Sequence, residues 1–598
     1  MGETLSKDIQ PEELAIFKKL PTNTLLDNIQ IPERPENRRP TDSKFIIVFA
    51  VVLVLLLPFL IYTLIYSDID RFSGYDQCGN ICGKKNSKQG GIDCSGQDFT
   101  RFPYLQIDLD SNHPDLSGLG ISPRKCVESC SNNYVQIFGN CYLKQSSTYR
   151  PNYYNNFNTD FDRFKRKADY DTTEEEKIVN DLTEYLNRHA WRIVLCCFLS
   201  LGVALGMLVL FKAATAAVVW GILGGVLIFG AVCVGGLWYF YLNMDKYLHD
   251  GRNNAKSNKN GILGLNIFFT IGLLVLLCVM VFMYRKIQLV IQLLKEATKA
   301  AFSMPLLIFT PIITFFSEAI IVALLITTSV YMSSSGILTP LISGFYQYQM
   351  NNFMVFTLLF NFWMAFWSIQ FVIGIQYMVI AGAVATWYFS KNKHNLDSPI
   401  TRSASIVFRF HLGSIFFGSL VITIMAIIRA LLSSITKNKN LKACVDFCTG
   451  TIESFLKFLS KNSYILTAMH GKPFFKSGKR AAKIIFQNAV NIASVNYIGD
   501  FVLGMAQLLI VLISLLITAG VMSGAEGNYV GAVYVIVFIV SLAVAVTFFS
   551  IFETTIDTIF LCFCEDSLLN DGMSRPYAMS RDLMEFVENS KLLYGDKK

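Results

Sequence analysis

Charge is what this sequence has least of. Asp, Glu, Lys and Arg make up 16% of its 598 residues, where a soluble globular chain carries roughly a quarter. Histidine occurs only six times, scattered along the chain. No HExxH, Cys-x2-Cys, Gly-x-Ser-x-Gly or Gly-rich phosphate loop occurs, and with them go the mechanisms those spacings serve. An enzyme is therefore not expected, nor a resident metal or cofactor. The net charge is +8, yet no basic stripe is interleaved with aromatic residues, so nucleic acid is not an expected partner. No Asn-x-Ser/Thr sequon is present, and N-glycosylation is not predicted. Residues 1–44 are polar and punctuated by proline, with no apolar stretch of the kind a cleavable signal peptide needs.

What the chain has in excess is apolar sequence, 53% of all residues. It comes in blocks of the length that crosses a hydrocarbon core of ~30 Å. Nine runs stand out, at about 45–66, 191–211, 214–241, 262–284, 305–331, 354–389, 411–431, 500–522 and 530–552. A tenth, 443–470, is less apolar and carries Asp446, Glu453, Lys457 and Lys461. The class is an all-α polytopic membrane protein of about ten transmembrane helices, with the lipid bilayer as its solvent. The intervening 285–304, 391–409 and 472–483 segments read as basic loops. All three fall on one side, with both termini cytosolic, if 443–470 crosses. The 432–442 loop, with Lys437, Lys439 and Lys442, would then be a basic loop on the outer side.

This gives a cytosolic tail (1–44), a first helix (45–66), a large loop (67–190), a core of helices two to ten (191–565) and a cytosolic C-terminal tail (566–598). The large loop holds Cys78, Cys82, Cys94, Cys126, Cys130 and Cys141. An even cluster of cysteines on the oxidising side reads as a disulfide framework, and spacing alone leaves the pairing open. The alternative is a zinc site, which Cys-x3-Cys at 78/82 and 126/130 loosely permits. Residues 173–190 read as a helix leading into the second span. Cys196, Cys197, Cys233 and Cys278, inside spans, are expected to stay free.

The chemistry lies in polar and aromatic residues within spans. Glu318 stands mid-span, where a carboxylate costs several kcal/mol unless it faces a cavity or a partner. The alternative for it is a structural hydrogen bond between helices. In the sixth span Trp363, Trp367 and Gln370 share a face, and Gln376 and Tyr377 follow. Aromatic faces bind quaternary ammonium by cation–π attraction, although Trp and Tyr also gather at membrane interfaces, the expectation for Trp387 and Tyr388. His411, at the start of a span, reads as a headgroup-level residue. Glu553 and Asp557 stand one helical turn apart at the end of the last span. Either they lie at the rim, with Asp557 paired to a loop cation such as Lys472 or Lys476, or the crossing slides inward and both face a cavity.

Ordered motifs then run through the chain: "SGYDQCGNICG" (73–83), "CVESC" (126–130), "LLKEATKA" (293–300), "MVIAGAVATWYF" (378–389), "RFHLGSIFFGSL" (409–420), "FLSKNSYILTAMHGKPFFKSGKRA" (458–481), "NYIGDF" (496–501) and "IDTIFLCFCEDSLLNDGMSRPY" (556–577). In these the chain resembles the choline transporter-like family, solute carrier family 44. The resemblance implies sodium-independent transport of choline, with ethanolamine as a second substrate in some members, across plasma or organelle membranes including the mitochondrial one. It points by position to Trp367, Gln376, Asp500, Glu553 and Asp557. With Glu318, Trp363, Gln370 and Tyr377, these form the candidate set for a quaternary or primary ammonium substrate, with proton coupling through the paired acids. The rival reading is a non-transporting scaffold or receptor whose cysteine-rich loop binds a partner.

Overall fold

The computed structural model describes residues 32–107, 124–131, 134–137, 140–143, 182, 184–247, 255–342, 345–390, 393, 396–436, 438–487, 489–524, 530–570, 577–580 and 584. Most of both expected tails, and residues 173–181 of the helix expected before the second span, lie outside them. Helix α1 spans Lys44–Ile65, and α2 spans Ala190–Tyr247 with a break at Ala214, whose φ of −149° and ψ of 52° leave the helical region. That break falls between the runs read as two spans. Helices α3 (Ala255–Phe282), α4 (Tyr284–Ser303) and α5 (Thr310–Ser333, after a 3-10 turn at Pro305–Phe309) follow. Next come α6 (Asn352–Phe389), α7 (Pro399–Ile406) and α8 (Leu412–Ile435), the last two joined by a π turn at Val407–His411. Helices α9 (Lys439–His470), α10 (Phe474–Gln487), α11 (Ala489–Val521) and α12 (Val530–Leu569) complete the bundle.

Among the described residues, eight helical stretches are long and apolar enough to cross a membrane. One of them, α2, is two segments, and α9 adds a further long helix whose charges kept its hydropathy low. The 285–304 and 472–483 segments, read above as loops, are the amphipathic helices α4 and α10. In α4, Ile287, Val290, Ile291, Leu294, Ala297 and Ala301 are buried at helical spacing, which the basic residues between them masked.

Helix α6 is the hub. It packs against α1, α5, α7, α8, α9 and α12. Asn351 caps its start by accepting a bond from the Met354 N–H at 2.9 Å. Its second half is buried through Met378, Ile380, Ala381, Val384 and Ala385, against Ile465 and Met469 of α9 and Phe549, Phe552 and Ile559 of α12. Trp387 and Tyr388 are therefore buried, not an interfacial belt, and the Tyr388 hydroxyl donates to Asp566 Oδ2 at 3.2 Å. Apolar side chains on the outer faces of α1, α3 and α5 are exposed, as lipid-facing surface must be.

The cysteine-rich segment forms a stapled module. Cys78 pairs with Cys94, Cys82 with Cys126 and Cys130 with Cys141. Strands β1 (Tyr104–Ile107), β2 (Arg124–Val127), β3 (Tyr134–Ile137) and β4 (Asn140–Leu143) lie in the order β2-β1-β4-β3, with only β1 and β4 parallel. The module rests on a hairpin that the sequence reading missed, β5 (Ile337–Ile342) and β6 (Phe345–Gln349). Tyr348 donates to the Gly79 carbonyl at 2.9 Å, and Arg71 stacks 4.0 Å over the Tyr348 ring. Gly79 has a φ of +80°, and a Cβ there would sit 2.6 Å from the Leu338 side chain, so a glycine is required. Cys196, Cys197, Cys233 and Cys278 are free.

Candidate functional site

A cavity of about 390 Å³ opens between α6, α8, α9, α11 and α12. Helix α6 contributes Gln370, Gly374 and Tyr377, one turn apart along a single stripe. Gly374 lets the walls close in: a Cβ there would come 2.7 Å from Ile415 and 3.4 Å from the Tyr464 ring. Helix α9 supplies Lys457, Phe458, Lys461 and Tyr464, α11 supplies Asp500, and α12 supplies Glu553 and Asp557.

The centre of this cavity is an ion triad. Lys461 Nζ lies 2.6 Å from Glu553 Oε1 and 2.7 Å from Asp557 Oδ2. It also sits 5.3 Å from the centroid of the Tyr377 ring. The lysine side chain is 9% exposed and Asp557 14%, whereas Glu553 keeps 42% of its surface open. Asp557 is thus inside the bundle, and its partner is Lys461 rather than Lys472 or Lys476. The two acids share one cation, so the group carries a surplus negative charge. Asp500 adds another, and it makes no ion pair or hydrogen bond among the described residues. Lys457, at the edge, is engaged elsewhere: it lies 2.7 Å from Glu453 Oε1, whose other oxygen is 3.0 Å from Arg429. Carboxylates lining a cavity, an aromatic face and excess negative charge suit a small organic cation.

Five of the nine residues singled out in the sequence meet here: Gln370, Tyr377, Asp500, Glu553 and Asp557. The other four do not line this cavity. Trp363 and Trp367 lie on the neighbouring stripe of α6, with Phe371, and pack into an aromatic cluster with Phe49 of α1 and Phe416 of α8. Trp367 Nε1 donates to Ser419 Oγ at 3.0 Å, and its ring meets Phe49 edge-on at 4.8 Å. Trp367 and Gln370 are about 60° apart around the helix at 100° per residue, enough to put them on different surfaces. Gln376 donates to Ser550 Oγ of α12 at 3.0 Å. Glu318 is half-buried on α5, within coulombic reach of Tyr377, and bonds to nothing among the described residues. Sequence reasoning overlooked Lys461, Phe458 and Tyr464. The signal was a lysine inside a marginal span, which demands an acid somewhere in the bundle.

At the end of the bundle away from the cysteine module, the segment before α1 is tucked under α6, α7 and α9, beside a smaller cavity of about 230 Å³. Arg38 is buried there. Its guanidinium donates to the carbonyls of Ala468 at 2.6 Å and Glu33 at 3.0 Å and meets His411 Nε2 at 2.9 Å. Burial pulls its pKa down to about 10, so it keeps its charge at neutral pH. His411 is fully buried, with Thr41 Oγ1 on its other nitrogen at 2.9 Å, and is no headgroup-level residue. Asp42 Oδ2 accepts from the Phe474 N–H at 2.7 Å and so holds the start of α10. On α12, Glu565 binds Arg480 and His470 and ties the same corner together.

Residues 267–568 match the family described as plasma-membrane choline transporter. Choline transporter-like protein 1 of Rattus norvegicus is 30% identical over 576 residues, covering 87% of each chain. The chain belongs to the choline transporter-like family. Choline transporter-like protein 3 of Homo sapiens is 28% identical, over 93% of this chain and 92% of its own. Choline transporter-like protein 2 of Dictyostelium discoideum is 27% identical, over 86% of this chain and 89% of its own. Every residue that lines the larger cavity falls within the segment matched to the choline transporter family.

Proposed function

We infer that this chain carries choline and related small ammonium compounds across a membrane, and that the cavity between α6, α9, α11 and α12 holds them in transit. The observation that carries this reading is the pairing of two acids, one of them buried, with a single buried lysine, beside an aromatic ring, in a space of about 390 Å³. That volume is in the range of roughly 300–1,000 Å³ typical of small-molecule sites. A trimethylammonium group would lie against Tyr377, Phe458 and Tyr464, with Asp557, Glu553 and Asp500 balancing its charge and Gln370 taking the hydroxyl. Trp363, Trp367 and Gln376 would set the position of α6, and Glu318 would add negative charge behind Tyr377. Sodium is not expected to drive the process, ethanolamine is the expected second substrate, and the paired acids offer a route for proton coupling. The plasma membrane is the expected location, with an organelle membrane as a further site and both termini in the cytosol.

The names of the relatives support choline as the first compound to test. A scaffold or receptor that works through its cysteine-rich module has no use for a lysine and three acids inside the bundle. Purified protein in proteoliposomes, given radiolabelled choline with and without sodium and with and without a pH gradient, tests the reading directly. Uptake above that of empty liposomes, unchanged by sodium, is expected. No uptake under any of these conditions, from protein that is folded and inserted, rules it out.

A further inference from the structure

The two acids placed to meet a substrate cation already hold one. Lys461 Nζ contacts Glu553 Oε1 at 2.6 Å and Asp557 Oδ2 at 2.7 Å, in the same cavity and beside the same Tyr377 ring a quaternary ammonium would use. An ammonium of the substrate and the ammonium of Lys461 cannot both occupy that point. The lysine is on a flexible four-carbon stem, and a second acceptor lines the same cavity. Asp500, on α11, is exposed along the wall and carries no cation among the described residues.

We propose that Lys461 is a tethered substitute for the substrate: it neutralises Glu553 and Asp557 while the cavity is empty and moves to Asp500 when a substrate cation takes its place. The proposal rests on the reading that this cavity binds choline. Its physical reason is the empty carrier. A transporter that works in net mode must return without substrate, and two uncompensated carboxylates, one of them buried, resist that step, because an unpaired charge is costly to keep away from water. A lysine that re-enters the pair removes the obstacle without a second ion. Substrate binding is then an exchange of one cation for another, and the total charge around Glu553 and Asp557 stays constant through the cycle. Specificity follows as well, since a neutral or anionic compound cannot displace Lys461.

Lys461→Gln separates this role from a purely structural one. The test uses full-length protein in proteoliposomes, with choline binding, choline–choline exchange and net uptake into choline-free vesicles measured on the same preparation. The expected result is choline binding at least as tight as wild type, exchange retained, and net uptake reduced about tenfold or more, since only the empty return needs the lysine. Asp500→Asn supplies a second arm. With no place for the lysine to go, choline should bind about tenfold more weakly, and Lys461→Gln in the same chain should restore it, a coupling that independent residues do not show. Exchange and net uptake falling together in Lys461→Gln, with weaker binding, would overturn the proposal while leaving choline transport intact. So would additive effects in the Asp500 and Lys461 pair, and, if Lys461→Gln folds poorly, Asp500→Asn that binds choline as tightly as wild type decides against it. Wild-type protein that neither binds nor carries choline removes the functional reading and this proposal with it.

Discussion

Asp557→Asn keeps the shape of the side chain and deletes one charge, and its effect on choline can be worked from the geometry. A quaternary nitrogen is wrapped in methyl groups, so its centre comes no nearer than about 4 Å to a carboxylate oxygen. At that distance a unit charge pair is worth about 4 kcal/mol at an effective dielectric constant of 20. Part of this is spent on desolvating the cation and on displacing Lys461, which holds Asp557 at 2.7 Å. Taking half as the net gives about 2 kcal/mol, or roughly thirtyfold in affinity. Glu553→Gln should cost less, because its side chain is 42% exposed against 14% for Asp557 and its charge is better screened. Neither change should unfold the protein, since Lys461 keeps one of its two acids in each case. Saturation binding of radiolabelled choline to purified variants gives the affinity, and thermal unfolding of the same samples checks the fold. An Asp557→Asn protein of normal thermal stability that binds choline within twofold of wild type would refute the argument, and so would a larger loss in Glu553→Gln.

Three further outcomes are expected. Replacing Cys82 and Cys126 by serine opens a staple that closes 44 residues, with a stability loss of about 2–5 kcal/mol in that module; mass spectrometry of wild type without reduction should find none of the six loop cysteines alkylated. Trp367→Ala, which empties a buried site between Phe49 and Phe416, should cost about 3–5 kcal/mol of stability yet leave choline affinity in the folded fraction nearly unchanged; a tenfold affinity loss at normal stability would put Trp367 in the substrate site after all. Arg38→Ala leaves the Ala468 carbonyl and His411 without their partner, at about 1–3 kcal/mol, and should make the segment before α1 cleavable by protease; Arg38→Lys should fail to restore protection, because one ammonium cannot reach the three acceptors of a planar fork.

The helices were legible because lipid demands long apolar runs with internally bonded backbones. The disulfide framework was legible as a cluster, while its pairing was not, because pairing depends on a sheet whose order is β2-β1-β4-β3 and includes one parallel contact. The helices α4 and α10 read as loops in the sequence because their buried faces alternate with basic residues, which lowers average hydropathy without weakening the apolar stripe. The aromatic stripe of α6 reads in the sequence as one face shared with Gln370, whereas the structure divides it between two surfaces. Trp363 and Trp367 lie one turn apart, as read, but helical spacing says only that two residues share a side, not which neighbour covers it. Here α1 and α8 cover the tryptophans, and the cavity takes the adjacent stripe of Gln370, Gly374 and Tyr377.

Lys461 shows the limit most clearly. In the sequence it counted against its own helix, as one of four charges that made 443–470 a doubtful span. In the structure three of the same charges explain why that helix belongs in the bundle. Glu453 is met by Lys457 of its own helix and by Arg429 of α8, and Lys461 by Glu553 and Asp557 of α12, so the buried glutamate and the buried lysine each have compensation across a helix boundary. The acids at 553 and 557 posed the complementary difficulty, two negative charges at the end of an apolar run with no cation nearby in sequence. Each half of the arrangement looks like an error when read alone. Hydropathy treats both as penalties, because it sums residues along one chain segment and has no term for a partner 92 residues away. A chain of this class is therefore best searched for charges that weaken two separate spans and have opposite sign, since mutual burial is the condition under which either can be kept.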